Sequence, residues 1–337
     1  MKVVITGGAG FIGSHTAVQL INSGYEPIIL DNFSNSSVSV IGQIEKIVNQ
    51  NILFYRVDCN NEKDVSAVFA EHSDIVGVIH FAAYKSVGES IAEPEKYYQN
   101  NLGSLNIVVK VMAKFKVSKL VFSSSCTVYG IPDQIPVDEN APIKESTNPY
   151  GHTKQLAESI LTSNCKFNPD LEVVLLRYFN PIGAHPTGLI GELPKDVPSN
   201  LVPFITQTAA GWRPELTVYG TDYDTADGTC VRDYIHVMDL ADAHIRAMQW
   251  KNNTSNIDVF NIGTGKGSSV KDIIEAFESE SNLKLPIKWG DRRLGDVPAI
   301  FGDTNKAKTE LGWEPKLSIN EALASAWNWQ KTLNKPG

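Results

Sequence analysis

The chain has 337 residues, enough for a large core and two lobes. Hydrophobic residues make up 42% and charged residues 20%, and the net charge of −8 argues against a general nucleic-acid-binding surface while leaving room for a local basic pocket. Cys59, Cys126, Cys165 and Cys230 form no C-x-x-C pair and no metal spacing, so reduced thiols in a cytoplasmic protein without a metal site are expected.

The first predicted element is a buried strand at Val3-Val4-Ile5. It is too short for a signal peptide, and no apolar run reaches the roughly 18 residues of a membrane span. A helix follows from Ile12 to Asn22, closed by Ser23-Gly24. Ile28-Ile29-Leu30 is the next strand, and a helical stretch ends near Asn49. Leu53–Val57, Val76–Ile79 and Lys119–Phe122 read as further strands with helices between them, including a long one from Pro94 to Lys114. Another helix runs from Pro149 to Cys165, with Asn148 as its cap, and Val173–Leu176 is a strand. The βαβα rhythm predicts an α/β fold, a doubly wound parallel Rossmann sheet. After Arg177 the character changes. Residues 180–235 are rich in Pro, Gly and Asn, with a short strand at Leu216–Tyr219, and so are expected to line a binding site. Helical patterns return at Val237–Trp250, Val270–Glu280 and Asn320–Lys331. The expected division is a cofactor-binding domain over 1–179, rejoined around 237–262, and a smaller mixed α/β domain over 180–337, the two interleaved.

Gly7, Gly10 and Gly13 sit in the turn between the first strand and the first helix, around Phe11 and Ile12. Glycines there let the backbone bend sharply and approach a pyrophosphate, and the helix N-terminus offers free N–H groups. Glycine clusters also mark plain turns. Here the turn follows a strand, opens a helix and is answered about twenty residues on by Asp31, at the end of the second strand. A carboxylate there accepts from the adenine-ribose diol and repels a 2′-phosphate, and no Arg follows it in Asn32-Phe33-Ser34-Asn35, which favours NAD over NADP. Asp58 is placed for the adenine amino group or as a strand-end turn residue. Phe81-Ala82-Ala83 lets the chain pass beside a cofactor, and Lys85 and Asn100 are further candidate contacts.

Tyr150 and Lys154 are four apart and share a helix face. A nearby ammonium favours the phenolate, and a Tyr so acidified can take a proton from an alcohol. Such pairs also meet by chance in many helices. The hydroxyl run Ser123-Ser124-Ser125, at the end of the fifth strand, supplies proton-relay groups if it is not merely a solvated turn. Together with the glycine turn, the reading is a Ser/Thr–Tyr–Lys triad of Ser125, Tyr150 and Lys154.

At this point the chain resembles the extended short-chain dehydrogenase/reductase family of NAD-dependent nucleotide-sugar epimerases and dehydratases. The resemblance covers essentially the whole chain. It rests on Thr6–His15, His80–Ala83, Ser123–Gly130, Tyr150–Lys154, Arg177–Pro181 and Val231–Val237. It implies epimerisation of UDP-glucose and UDP-galactose at C4 through a transient 4-keto sugar, with tightly held NAD. Tyr150 would take the 4-hydroxyl proton, directly or through Ser125. Lys154 would lower the Tyr150 pKa and bond the nicotinamide ribose. To the cofactor contacts it adds Asn32, Asn35, Ser36, Cys59, Ser123 and Tyr178. For the UDP-sugar it implies Ser125, Tyr150, Phe179, Asn180, Asn200, Leu201, Thr217, Val218, Tyr219, Arg232, Arg293 and Asp296. Read alone, Arg232 and Arg293 are equally surface charges. A dehydratase of this family needs an Asp-Glu pair where Cys126 and Thr127 stand, which argues against dehydration. An NAD-binding module without catalysis is disfavoured by the intact Ser125, Tyr150 and Lys154. Ile300, where some members carry a bulky Tyr, is a gate that would admit UDP-GlcNAc and UDP-GalNAc. The helices at 94–114 and 149–165 resemble a homodimer face. Tyr84 has no assigned role.

Overall fold

The computed structural model describes residues 1–195, 197–251, 254–293 and 295–333, so the end of the expected second domain, 334–337, lies outside the described residues. Seven strands form one parallel sheet, in the spatial order Ile257–Ile262, Glu172–Tyr178, Lys119–Ser123, Ile75–His80, Lys2–Thr6, Glu26–Asp31, Leu53–Arg56. The connections run outward on both sides of Lys2–Thr6. That reversal opens a crevice at the carboxyl ends of Lys2–Thr6 and Ile75–His80, where ligands of doubly wound sheets sit. The fold is therefore α/β and Rossmann-like.

Both sheet faces are covered, so successive strand residues are apolar rather than alternating. On one face Val3, Ile5, Ile29, Ile79, Val121 and Val174 pack under the helices Phe11–Asn22, Ser39–Val48 and Val237–Gln249. On the other, Val4, Ile28, Leu30, Val78, Leu120 and Val173 pack under Glu62–Glu71, Pro94–Phe115 and Pro149–Phe167. The last of these helices starts as its sequence dictates. The Asn148 side chain accepts from the Gly151 N–H at 2.9 Å, and Pro149 occupies the first turn, where its missing N–H costs nothing.

After Tyr178 the chain leaves the sheet to build a second lobe. Short strands pair there: Asn180–Ile182 with Tyr234–His236, Leu216–Tyr219 with Ile287–Gly290, and Val231–Arg232 with both Ser268–Ser269 and Ala299–Ile300. The helices Leu201–Ala209, Val270–Ser281 and Ile319–Thr332 share a core around Ile205, Phe277 and Leu323. Leu201–Ala209 lies inside the stretch expected to be irregular. Its Pro203 reads as a breaker but sits in the first helical turn, where proline is tolerated. The chain then returns to the sheet, and Ile257–Ile262 pairs in parallel beside Glu172–Tyr178. Among the described residues no helix is long and apolar enough to cross a membrane.

Candidate active site

A cleft of about 1600 Å³ opens at the carboxyl ends of the strands and continues under the second lobe. Every residue singled out above for cofactor, sugar nucleotide or catalysis lines it except Ser123 and Ser124, and of the serine run only Ser125 reaches the cleft. Ser123 is a correction. Its side chain is 1% exposed, and its Oγ pairs with the Tyr178 hydroxyl at 2.8 Å, so Tyr178 stands between it and the cleft.

At one end of the cleft the glycine turn is built to fit a pyrophosphate. Gly7 has φ +67°, and a Cβ on Gly13 would stand 2.4 Å from the Gly7 carbonyl oxygen, so neither position accepts a side chain unstrained. Gly10 caps the helix Phe11–Asn22, and no side chain covers that end. Asp31 anchors this turn to the next loop: its carboxylate accepts from Ala9 N–H at 3.0 Å, Phe33 N–H at 2.8 Å and Ser36 Oγ at 2.9 Å. Further along, Asp58 accepts from Asn60 N–H at 2.9 Å and from Asn32 Nδ2 at 3.4 Å, while Asn100 accepts from Asn60 Nδ2 at 3.1 Å. Cys59 lies beside them, buried, with its thiol pushed up to about 12 by burial and the neighbouring Asp58. The turn, the acidic strand end and the polar loop together line one continuous end of the cleft.

At the centre, Tyr150 and Lys154 share the buried face of their helix. The Lys154 ammonium donates to the Ser123 carbonyl at 2.6 Å and stands 6.0 Å from the Tyr150 ring centre. Burial pushes the phenol above its usual value, against a hydrogen bond with Ser125 that favours the phenolate. The Lys154 proton is directed at a carbonyl, and burial lowers its own pKa to about 8. Cys126, next along the turn, is pushed up to about 12, chiefly by burial, and is an inert thiol.

Asn101 was missed, while its neighbour Asn100 was chosen. Asn101 is buried. Its side chain accepts from the Tyr84 N–H at 2.8 Å and donates to the Tyr84 carbonyl and to Thr153 Oγ1, both at 3.1 Å. Thr153 in turn donates to the Tyr150 carbonyl at 2.7 Å. The periodicity Tyr97, Asn101, Leu105, Val108 on one helix face would have found it. The same bonds give Tyr84 a place: its backbone is clamped to the helix that faces Tyr150, and its ring packs against Tyr97 under the Lys96 ammonium.

At the other end, Arg293 donates to both carboxylate oxygens of Asp296, at 2.8 and 3.2 Å, and Arg232 lies 3.7 Å from the same group. Two guanidiniums converge there on one carboxylate at the cleft wall. Thr217 and Tyr219 face outward from their strand, while the Val218 side chain packs into the core of the second lobe. Asn180 is fixed through its N–H to the Asp233 carbonyl at 2.9 Å. Glu192, also not foreseen, spans the middle: its Oε1 accepts from Lys85 Nζ at 3.0 Å and from Asn200 Nδ2 at 2.7 Å. Lys195 donates to the carbonyls of Phe33 and Ser34, tying the second lobe to the dinucleotide side. Ile300 is buried against Cys126, Val128 and Phe179, beside Arg232.

Comparison with known proteins agrees with this geometry. The model of the NAD dependent epimerase/dehydratase family matches residues 3–263. The UDP-glucose 4-epimerase of Bacillus subtilis (strain 168) is 48% identical over 332 residues, 98% of this chain and 97% of its own length. Among solved structures, the UDP-glucose 4-epimerase from Bifidobacterium longum in complex with NAD+ and UDP superposes with a TM-score of 0.95 at 46% identity, covering 98% of each chain. The UDP-Glc/GlcNAc 4-epimerase of Campylobacter jejuni superposes with a TM-score of 0.84 at 35% identity, over 98% of this chain and 99% of that one.

Proposed function

Because this chain belongs to the NAD dependent epimerase/dehydratase family, we propose that it is an NAD-dependent UDP-hexose 4-epimerase interconverting UDP-glucose and UDP-galactose. The observation that carries the reading is a single cleft with the glycine cradle at one end, Arg232 and Arg293 at the other, and Tyr150 with Ser125 between them. Gly7, Gly10, Gly13, Asp31 and Asp58 hold the dinucleotide. The guanidiniums of Arg232 and Arg293 take the diphosphate of the sugar nucleotide, exchanging the Asp296 carboxylate for phosphate oxygens. Asp296 then turns to the uridine ribose, and Thr217 and Tyr219 line the uracil. Residues 1–179 with 237–262 serve the cofactor, and the rest of 180–337 serves the UDP-sugar.

Tyr150, ionised to the phenolate in the loaded site, accepts the proton of the sugar 4-hydroxyl to become the neutral phenol, with Ser125 as its hydrogen-bond partner, and gives that proton back to the 4-oxygen when the 4-keto sugar has turned over. Bound NAD would supply the hydride acceptor at C4 and a positive ring beside the phenol, so the cycle has no net redox change. Lys154 holds its positive charge beside the same phenol. Cys126 and Thr127 offer no acid or base for the elimination a dehydratase performs: the Cys126 thiol is held up near 12, and Thr127 is a neutral hydroxyl. The enzyme acts in the cytoplasm as a homodimer through the helices Pro94–Phe115 and Pro149–Phe167. Light scattering tests the oligomer, and a monomer sinks that part.

A second reading extends the substrates to UDP-GlcNAc and UDP-GalNAc. It is favoured by Ile300, a compact side chain at the cleft wall beside Arg232. The deciding assay offers purified protein with NAD the four UDP-sugars. Conversion of UDP-galactose to UDP-glucose is expected, and its absence overturns the epimerase reading.

A further inference from the structure

Behind Tyr150 lies a charged pair that the chemistry above does not use. Glu158 is four residues beyond Lys154 on the same buried helix face. Its carboxylate accepts from Ser124 Oγ at 2.5 Å, from Arg177 Nε at 3.0 Å and from Arg177 Nη2 at 2.7 Å. Arg177 also donates to the Tyr129 hydroxyl at 3.1 Å, and Tyr129 donates to Asn261 at 2.6 Å. Ser124 is the middle residue of the turn whose other members meet the catalytic pair. The Ser123 carbonyl holds the Lys154 ammonium, and Ser125 faces Tyr150. One helix thus grips one turn twice, through Lys154 and through Glu158. A buried ion pair is costly to desolvate, and apolar residues often replace one without loss of stability, so packing alone does not call for this pair.

We propose that Glu158 is a positioning residue for the Tyr150–Lys154 centre, holding the Ser123–Ser125 turn through Ser124 and sustaining the charge on Lys154 from one helical turn away. This rests on the epimerase reading. The groups that face Lys154 come from four elements. Its own helix brings Tyr150 and Glu158, and Lys119–Ser123 brings the Ser123 carbonyl and the Phe122 ring at 4.8 Å. Ile75–His80 brings His80, and one step further Glu172–Tyr178 brings Arg177, paired with Glu158, and Tyr178, beside Tyr150. His80 is kept neutral chiefly by burial, and both phenols are pushed upward by burial. Among these groups Glu158 alone is an anion. Burial lowers the Lys154 pKa to about 8, and the Glu158 carboxylate works against that fall.

The test uses the NAD-loaded enzyme and Glu158→Gln, Glu158→Asp and Ser124→Ala. Glu158→Gln should lower kcat by roughly tenfold or more with KM for UDP-galactose little changed. It should also move the alkaline limb of the kcat profile down by about one pH unit, because an anion is lost and the Arg177 cation is left uncompensated. Glu158→Asp should restore the limb. A lysine side-chain NMR titration, with the signal assigned by its loss in Lys154→Met, should show the same downward move without any turnover. That readout separates the two readings: if the parent enzyme leaves every UDP-sugar unchanged, the function fails while the Lys154 titration still judges Glu158. A Glu158→Gln enzyme with the parent limb and the parent Lys154 titration overturns the proposal, even if it is less stable. Should that variant fail to fold, Ser124→Ala decides, since it removes one hydrogen bond and keeps the ion pair. A fall in kcat at constant KM supports the positioning role, and an unchanged kcat overturns it.

Discussion

Tyr150 is buried in a site that resists its ionisation, so the proton transfer proposed for it depends on the few groups that favour a phenolate. Ser125 donates to it and Lys154 stands on the same helix face. Tyr150→Phe should cost kcat about three powers of ten while the protein still carries NAD, read from its absorbance spectrum. A variant with near-parental rate would remove Tyr150 from its role. Lys154 sets the pH range: its pKa is depressed to about 8, so its cation is present below that pH and lost above it. The rate should fall as pH rises through about 8, and a flat profile up to pH 10 or so would contradict a charged Lys154. Ile300→Tyr should abolish turnover of UDP-GlcNAc and leave UDP-galactose turnover near the parental rate. Loss of both would show that the position packs rather than gates.

Elements differ in how plainly the chain announces them. The inner sheet strands were legible because strands buried on both faces read as near-continuous aliphatic runs, whereas the edge strand Ile257–Ile262, broken by Asp258 and Asn261, was not picked out. The helix Pro149–Phe167 was legible through Asn148 and Pro149, and Asn148→Ala should cost about 1 kcal/mol in urea unfolding. The glycine turn was legible by spacing, and Gly13→Ala should weaken NAD binding by roughly tenfold or more in a titration, because the added carbon meets the Gly7 carbonyl. What stayed hidden depended on contacts far apart in the chain. Asn101 matters only because Tyr84 and Thr153 come to it, and Glu192 only because Lys85 and Asn200 do. Ser123 was misplaced because a run of three serines does not say which of them reaches the cleft and which lies behind Tyr178. The burial that dominates the Tyr150 phenol is likewise invisible in residue spacing.

At the scale of the whole molecule, four histidines are buried and neutral. Burial lowers His15 and His80 to about 3, and His236 and His244 to about 4. Unfolded, each would titrate near 6.5, so the unfolded chain binds protons first as the solution is acidified. The stability they contribute is complete above about pH 6.5 and is lost as pH falls toward their folded values. Each costs about 1.4 kcal/mol per pH unit within that window. The melting temperature should therefore drop steeply between about pH 6.5 and pH 4, and a flat melting curve there would contradict the neutral burial of this group.

The late return of Ile257–Ile262 to the sheet has a consequence for biosynthesis. Until residue 262 has left the ribosome, Glu172–Tyr178 is an outermost strand whose Val173-Val174-Leu175-Leu176 backbone lacks the partner it pairs with in the finished molecule. An unpaired, flat, aliphatic edge is the kind of surface that recruits other nascent chains. The second lobe is therefore also a delay line: roughly eighty residues must be translated before that edge is covered, and a stall within the stretch would leave a fragment with the edge open.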